Sequence, residues 1–142
     1  MANEHDFDCL IGSTIKYCQC IENDIKLIYS GMLVGDFEEN YQAIKRDTLG
    51  IIVGKLQKLD NSDKRPYFSN SDYRLLREIT QIRNYWAHQG YLDYVYNTSN
   101  FSAQYQKLYS DNQRLAGLHK TTQDIRLEFF GYDTEEENDD ED

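Results

Sequence analysis

Proline is nearly absent from this chain, and no run of apolar residues is long. The single proline, Pro66, sits in the polar stretch NSDKRPYFSNSD, which reads as the clearest loop. No apolar run approaches the roughly 18 to 20 residues of a membrane span. The N-terminal MANEHDFDCL is polar and acidic, without the basic-then-apolar order of a secretory leader. The expectation is a cytoplasmic protein with no membrane partner. Cysteine is too scarce for a disulfide framework: Cys9, Cys18 and Cys20 make an odd count and are expected as reduced thiols. On a helix, Cys18 and Cys20 lie about 200° apart and cannot clamp one metal together. Also missing are a second Cys or His pair, a Gly-rich phosphate loop and a Ser or Cys nucleophile constellation. Neither metal nor cofactor is expected.

Basic charge is also in short supply. The 142 residues carry 15 Lys and Arg against 25 Asp and Glu, a formal net charge of −10. Such a balance argues against a nucleic-acid partner. The excess is not spread evenly. The last ten residues, DTEEENDDED, hold eight acids and no base, which leaves 17 acids against 15 bases, a net of −2, in residues 1–132. Residues 133–142 repel one another and have no apolar surface to bury, so they are expected to form a disordered acidic tail. The tail is either a solubiliser or an arm that contacts a basic partner or mimics nucleic acid. Residues 1–132 are long enough for one domain with a core.

What is present is helical periodicity. Phe7, Leu10, Ile11, Thr14, Cys18, Ile21, Ile25, Ile28 and Met32 recur at steps of three and four, marking one face of a long helix. Gly31 and Gly35 are its candidate stops. A second segment starts near Asp36 and includes Tyr41 and Ile44. Asp47 or Thr48 then caps TLGIIVGKLQKLD, where Gly50 and Gly54 form a small-residue stripe for close approach of another helix. Ser71 or Asp72 caps the next long helix. A last pattern runs through Phe101, Tyr105, Leu108, Leu115, Leu118, Thr122, Ile125 and Phe129. YLDYVYN is the only β-rich stretch, short and isolated. The fold expected is all-α, an up-and-down bundle of four to five helices. Twelve tyrosines among 19 aromatics suit bundle edges and self-association.

The helix SDYRLLREITQIRNYWAHQGY, residues 71–91, carries the chemistry. At about 100° per residue, Leu75, Ile79, Ile82 and Trp86 form its core stripe. Arg74, Arg77, Gln81, Asn84 and His88 form a second, polar stripe on the opposite side. Such a stripe is ordinarily a solvated face. Arg83 flanks the apolar face, about 140° from His88, so one ideal helix cannot bring both to the same phosphate. Asn84 and His88, at i and i+4, can touch. A site using Arg83 and His88 together needs a helix irregularity, which Gly90 offers, or a second subunit. His5 and His119 have no comparable neighbours in sequence.

Arg83-Asn84-Tyr85-Trp86-Ala87-His88 resembles the R-x4–6-H motif of the HEPN superfamily, in which a polar residue such as Asn84 follows the Arg. The resemblance covers this motif and the helical layout of residues 1 to 130. It implies a small helical bundle that forms homodimers, with Arg83, Asn84 and His88 of two subunits lining one cleft that cuts RNA without a metal. Some HEPN toxins paired with a nucleotidyltransferase antitoxin show R-x4-H-x-Y, whose Tyr receives adenylate. Here Gln89 and Gly90 precede Tyr91, one residue more than that pattern, which leaves Tyr91 as a regulatory candidate only.

The residue types fit such chemistry on their own. RNA cleavage without a metal needs a group to take the 2′-OH proton and one to protonate the leaving 5′-oxygen, and imidazole changes charge near neutrality. Arg binds phosphate through its fork and opposes the charge that develops there. Arg74, Arg77 and Gln81 would guide the RNA backbone. The leading expectation is a dimeric HEPN endoribonuclease, in a toxin–antitoxin or phage-defence pair. The alternatives are a non-catalytic module that holds a nucleotide or protein, and a purely structural helical dimer.

Overall fold

A computed structural model describes residues 2–131; the acidic tail expected over residues 133–142 lies outside the described residues. Asn3 opens α1 (Glu4–Met32) with a reciprocal cap. Its side chain accepts the Asp6 N–H at 2.9 Å, and the Asp6 carboxylate accepts the Asn3 N–H at 2.9 Å. The face expected to be apolar is buried at Phe7, Ile11, Thr14, Cys18, Ile21, Ile25 and Ile28. The helix ends just past Gly31, and Gly35, at φ 108°, turns the chain where L side chains rarely go. Asp36 caps α2 (Phe37–Ile44), and Thr48 stands at the N-cap of α3 (Leu49–Asn61) without a side-chain cap bond.

The start of α4 (Asn70–His88) corrects the expected cap. Ser69, not Ser71 or Asp72, is the N-cap. Asp72 sits at the third helical position and completes a capping box with it, at 3.0 Å both ways. After α4 the YLDYVYN stretch forms a one-turn helix, α5 (Leu92–Val95), and a 3-10 turn (Thr98–Asn100) leads into α6 (Phe101–Phe130). Among the described residues there are six α-helices and no strand. The protein is thus an all-α helical bundle, with one helix more than the four to five expected, because α5 adds a separate turn.

Leaving aside the one-turn α5, successive helices reverse direction. In the α3–α4 pair, Gln57 meets Arg77 and Asp60 meets Tyr73. Between α4 and α6, Trp86 meets Asp111 and Glu78 meets Arg114. The two longest helices, α1 and α6, therefore run parallel: Phe7 packs near Tyr105, Thr14 bonds Asn112 and Asp24 bonds Thr122. Phe7 is the hub of one end of the core, with the rings of Trp86, Tyr91, Tyr94, Phe101 and Tyr105 all within 6.4 Å. Asp60 staples the other end. Its buried carboxylate accepts the N–H groups of Tyr67 and Phe68 at 2.8 and 3.1 Å and the Tyr73 hydroxyl at 2.5 Å.

Two packing expectations change. Gly50 and Gly54 are exposed, and a Cβ at either would meet nothing within 4 Å. Among the described residues no helix approaches them, because the buried face of α3 is Leu49, Ile52, Val53 and Leu56. On α4, Leu75 is only half-buried while Tyr73 and Leu76 join the core, because α4 packs against α1, α3 and α6 at once.

Candidate functional site

Arg74, Arg77, Gln81, Asn84 and His88 are all exposed along α4, as one continuous polar face. The Arg77 guanidinium itself is engaged, donating to Gln57 of α3 and to the Tyr73 carbonyl. His88 is the last helical residue. Beneath this face Trp86 is buried, and its indole N–H donates to Asp111 at 2.8 Å.

Gly90 closes the helix, though not through a left-handed backbone. Its N–H joins that of Gln89 on the Tyr85 carbonyl, each at 2.8 Å. A Cβ on Gly90 would lie 2.4 Å from a Trp86 ring carbon. Glycine is needed there because the chain crosses directly over the indole. The Gly90 carbonyl accepts Gln104 at 2.8 Å, and Gln104 also donates to the Tyr85 hydroxyl. Tyr85 in turn donates to Asp93, which holds that carboxyl below its ordinary range, and Lys107 stands 3.8 Å over the Tyr85 ring. The turn after His88 is thereby fixed to α6.

Arg83 faces a different neighbour. Its guanidinium reaches α1 and pairs with Glu22 at 2.7 Å, with the two side chains 31% and 24% exposed. Buried Cys18 lies one turn before Glu22 on α1. Burial pushes its thiol up to about 11, with the Arg83 charge acting against that. Tyr91 is held on the same side of the bundle as α1: its hydroxyl donates to Asp8 at 2.8 Å and its ring packs on Phe7. Burial first, and the Asp8 bond second, push the phenol up to about 12.

The exposure of the α4 surface changes little along the flank that α3 meets. The contact runs through Tyr73 and Arg77, near the α4 N-terminus. From there on the same flank is exposed at Thr80, Asn84 and Ala87. Arg83 borders this open flank on one side and His88 on the other. About 140° still separates them around the axis, and the Arg83 guanidinium is turned to Glu22 of α1.

Sequence reasoning missed a second polar cluster. On the seam between α1 and α6, Asp24 is 6% exposed and faces Thr122 and Arg126, with His119 close by. Its only sequence signal was a polar residue interrupting an apolar face. Among the described residues, no group of three His, Cys, Asp or Glu side chains is placed to hold a metal ion, and no helix is long and apolar enough to cross a membrane. Compared with protein-family models, curated proteins and solved structures, the chain finds no match.

Proposed function

We propose that this protein is a metal-independent endoribonuclease of the HEPN kind, working as a homodimer in which two subunits complete one cleft. The observation that supports this reading is the open flank of α4, where Asn84 and His88 are exposed and Arg83, partly exposed, stands at its border. In the reaction, the ribose 2′-oxygen attacks phosphorus as His88 of one subunit accepts its proton. The bond to the 5′-oxygen breaks, and the same residue of the second subunit protonates that oxygen. A 2′,3′-cyclic phosphate and a 5′-hydroxyl result. Arg83 offsets the charge developing on the phosphate, Asn84 orients His88 or the phosphate, and Arg74, Arg77 and Gln81 line the approach. Tyr91 is a regulatory position, and a nucleotidyltransferase or other antitoxin is the partner class that such a toxin takes.

The test is RNA incubated with EDTA and either wild type or His88→Ala between about pH 6 and 8. Cleavage by wild type, lowered by about 100-fold or more in His88→Ala, supports the reading. RNA left intact by both overturns it for the isolated protein. One observation favours a second reading, a non-catalytic HEPN module. The Glu22 carboxylate already occupies part of the Arg83 fork. Under that reading His88→Ala changes binding to a nucleotide or protein partner and no cleavage occurs.

A further inference from the structure

The seam between α1 and α6 is polar at Thr14 and Asn112 and again around Asp24. Gln19, Cys20, Asn23 and Asp24 share one face of α1, at i, i+1, i+4 and i+5, and His119 and Arg126, at i and i+7, share one face of α6. Gln19, Cys20, Asn23, Asp24, His119 and Arg126 line a cavity of about 330 Å³. The Asp24 carboxylate is buried, whereas its partner Arg126 is 33% exposed. A desolvated carboxylate with a specific charged partner, set in a cleft, is the pattern of a ligand site.

The donors and acceptors say which ligand. Asp24 has its oxygens turned to the protein: one accepts the Thr122 hydroxyl at 3.1 Å, and the other lies 3.1 Å from Arg126 Nε. That Nε–H is close enough for charge attraction. Yet it is buried and makes no aligned hydrogen bond among the described residues. The Nε edge of the guanidinium is thus held against Asp24, while the side chain, 33% exposed, also lines the pocket. The side-chain amides of Gln19 and Asn23 and the His119 ring add further donors around the same space. Such a set suits oxygen acceptors bearing negative charge.

We propose that the α1–α6 cavity binds a phosphate group, either as free phosphate or as a small phosphomonoester, with Arg126 as the main contact and Asp24 positioning it. The site is separate from the α4 flank: Glu22 and Asp24 lie about 200° apart around α1. The proposal therefore stands whether or not the protein cleaves RNA.

The experiment follows the Gln19 and Asn23 side-chain amides of the full chain by NMR, during titration with inorganic phosphate and, separately, ribose 5-phosphate, with chloride as the ionic-strength control. Alkylation of Cys20, which lines the cavity, is followed in parallel. Saturable amide shifts, slowed Cys20 alkylation and about tenfold weaker binding in Arg126→Lys are expected, since lysine keeps the charge and loses the fork. Tighter binding of ribose 5-phosphate identifies the guest as a phosphomonoester, and equal binding identifies free phosphate. Absence of saturable shifts at about 20 mM of either ligand, or unchanged affinity in a folded Arg126→Lys, overturns the proposal. Asn23→Ala, which leaves the Asp24–Arg126 pair intact, checks the result should Arg126→Lys fail to fold.

Discussion

Arg83 and Glu22 meet at 2.7 Å across the seam between α4 and α1, so a carboxylate holds the arginine of the R-x4-H segment in the free protomer. Both side chains remain partly open to solvent, and a pair of that kind contributes only about 1 kcal/mol. A phosphate oxygen offers the guanidinium the same geometry and can replace the carboxylate at small cost. Glu22→Gln is therefore expected to tighten binding of a non-cleavable 2′-O-methyl RNA by about fivefold. Adding Arg83→Ala should erase that gain. A gain that survives Arg83→Ala would show that Glu22 acts only through general repulsion.

Asp60 ties the α3–α4 loop to the core through two backbone N–H groups and the Tyr73 hydroxyl. Burial, together with the hydrogen bond to Asp60, pushes the Tyr73 phenol well above its ordinary range, so it stays a donor. Asp60→Ala leaves three donors without an acceptor, those of Phe68 and Tyr73 buried, and is expected to cost about 3 kcal/mol. Urea unfolding measures it directly, and the thermal midpoint should fall by about 12 °C. A loss below about 1 kcal/mol would mean that water takes over the carboxylate's bonds.

Glycines of the same helical bundle should respond in opposite directions. Gly90→Ala drives a Cβ into the Trp86 ring and is expected to destabilise by about 2 kcal/mol, with a changed near-UV signal from the only tryptophan. Gly54→Ala meets nothing and replaces an exposed glycine inside α3, so it should stabilise by about 0.5 to 1 kcal/mol. Stabilisation by Gly90→Ala would contradict the close crossing of the chain over the indole.

Asp24 makes stability depend on pH. Burial raises its carboxyl above the ordinary value of 3.8, with Thr122, Arg126 and His119 opposing the shift. The folded state thus binds the proton more tightly than the unfolded chain does. Its stabilising contribution is complete below the unfolded value and is lost as pH rises through the folded one. Unfolding free energies of wild type and Asp24→Asn, measured between about pH 4 and 7, should show wild type losing ground to the variant as pH rises. A constant difference would place the Asp24 carboxyl at its ordinary value.

Much of the fold was legible locally. The burial of Phe7, Ile11, Thr14, Cys18, Ile21, Ile25 and Ile28 follows from steps of three and four along one helix, and such spacing needs no knowledge of the partner. The exposure of Arg74, Arg77, Gln81, Asn84 and His88 follows from the same geometry. The cap of α4 was misplaced by two residues, because Ser69, Ser71 and Asp72 all have capping chemistry and only the turn of the loop selects among them. The Gly50–Gly54 stripe allowed a neighbour without requiring one.

Charge shows the same division. The count of −10 and its concentration in residues 133–142 belong to the sequence, as do the helices and their apolar faces. The sequence by itself also determined that Arg83 and His88 lie on different sides of one helix, since rotation per residue is a property of the backbone. Only the tertiary structure decided that the flank between them is exposed, that Glu22 holds Arg83, and that Asp24 pairs with Arg126 beside a pocket. Those contacts join residues as much as 61 and 98 positions apart in the chain, as in Arg83 with Glu22 and Thr122 with Asp24. Periodicity orients each helix about its own axis, whereas the choice of neighbour depends on packing among all of them.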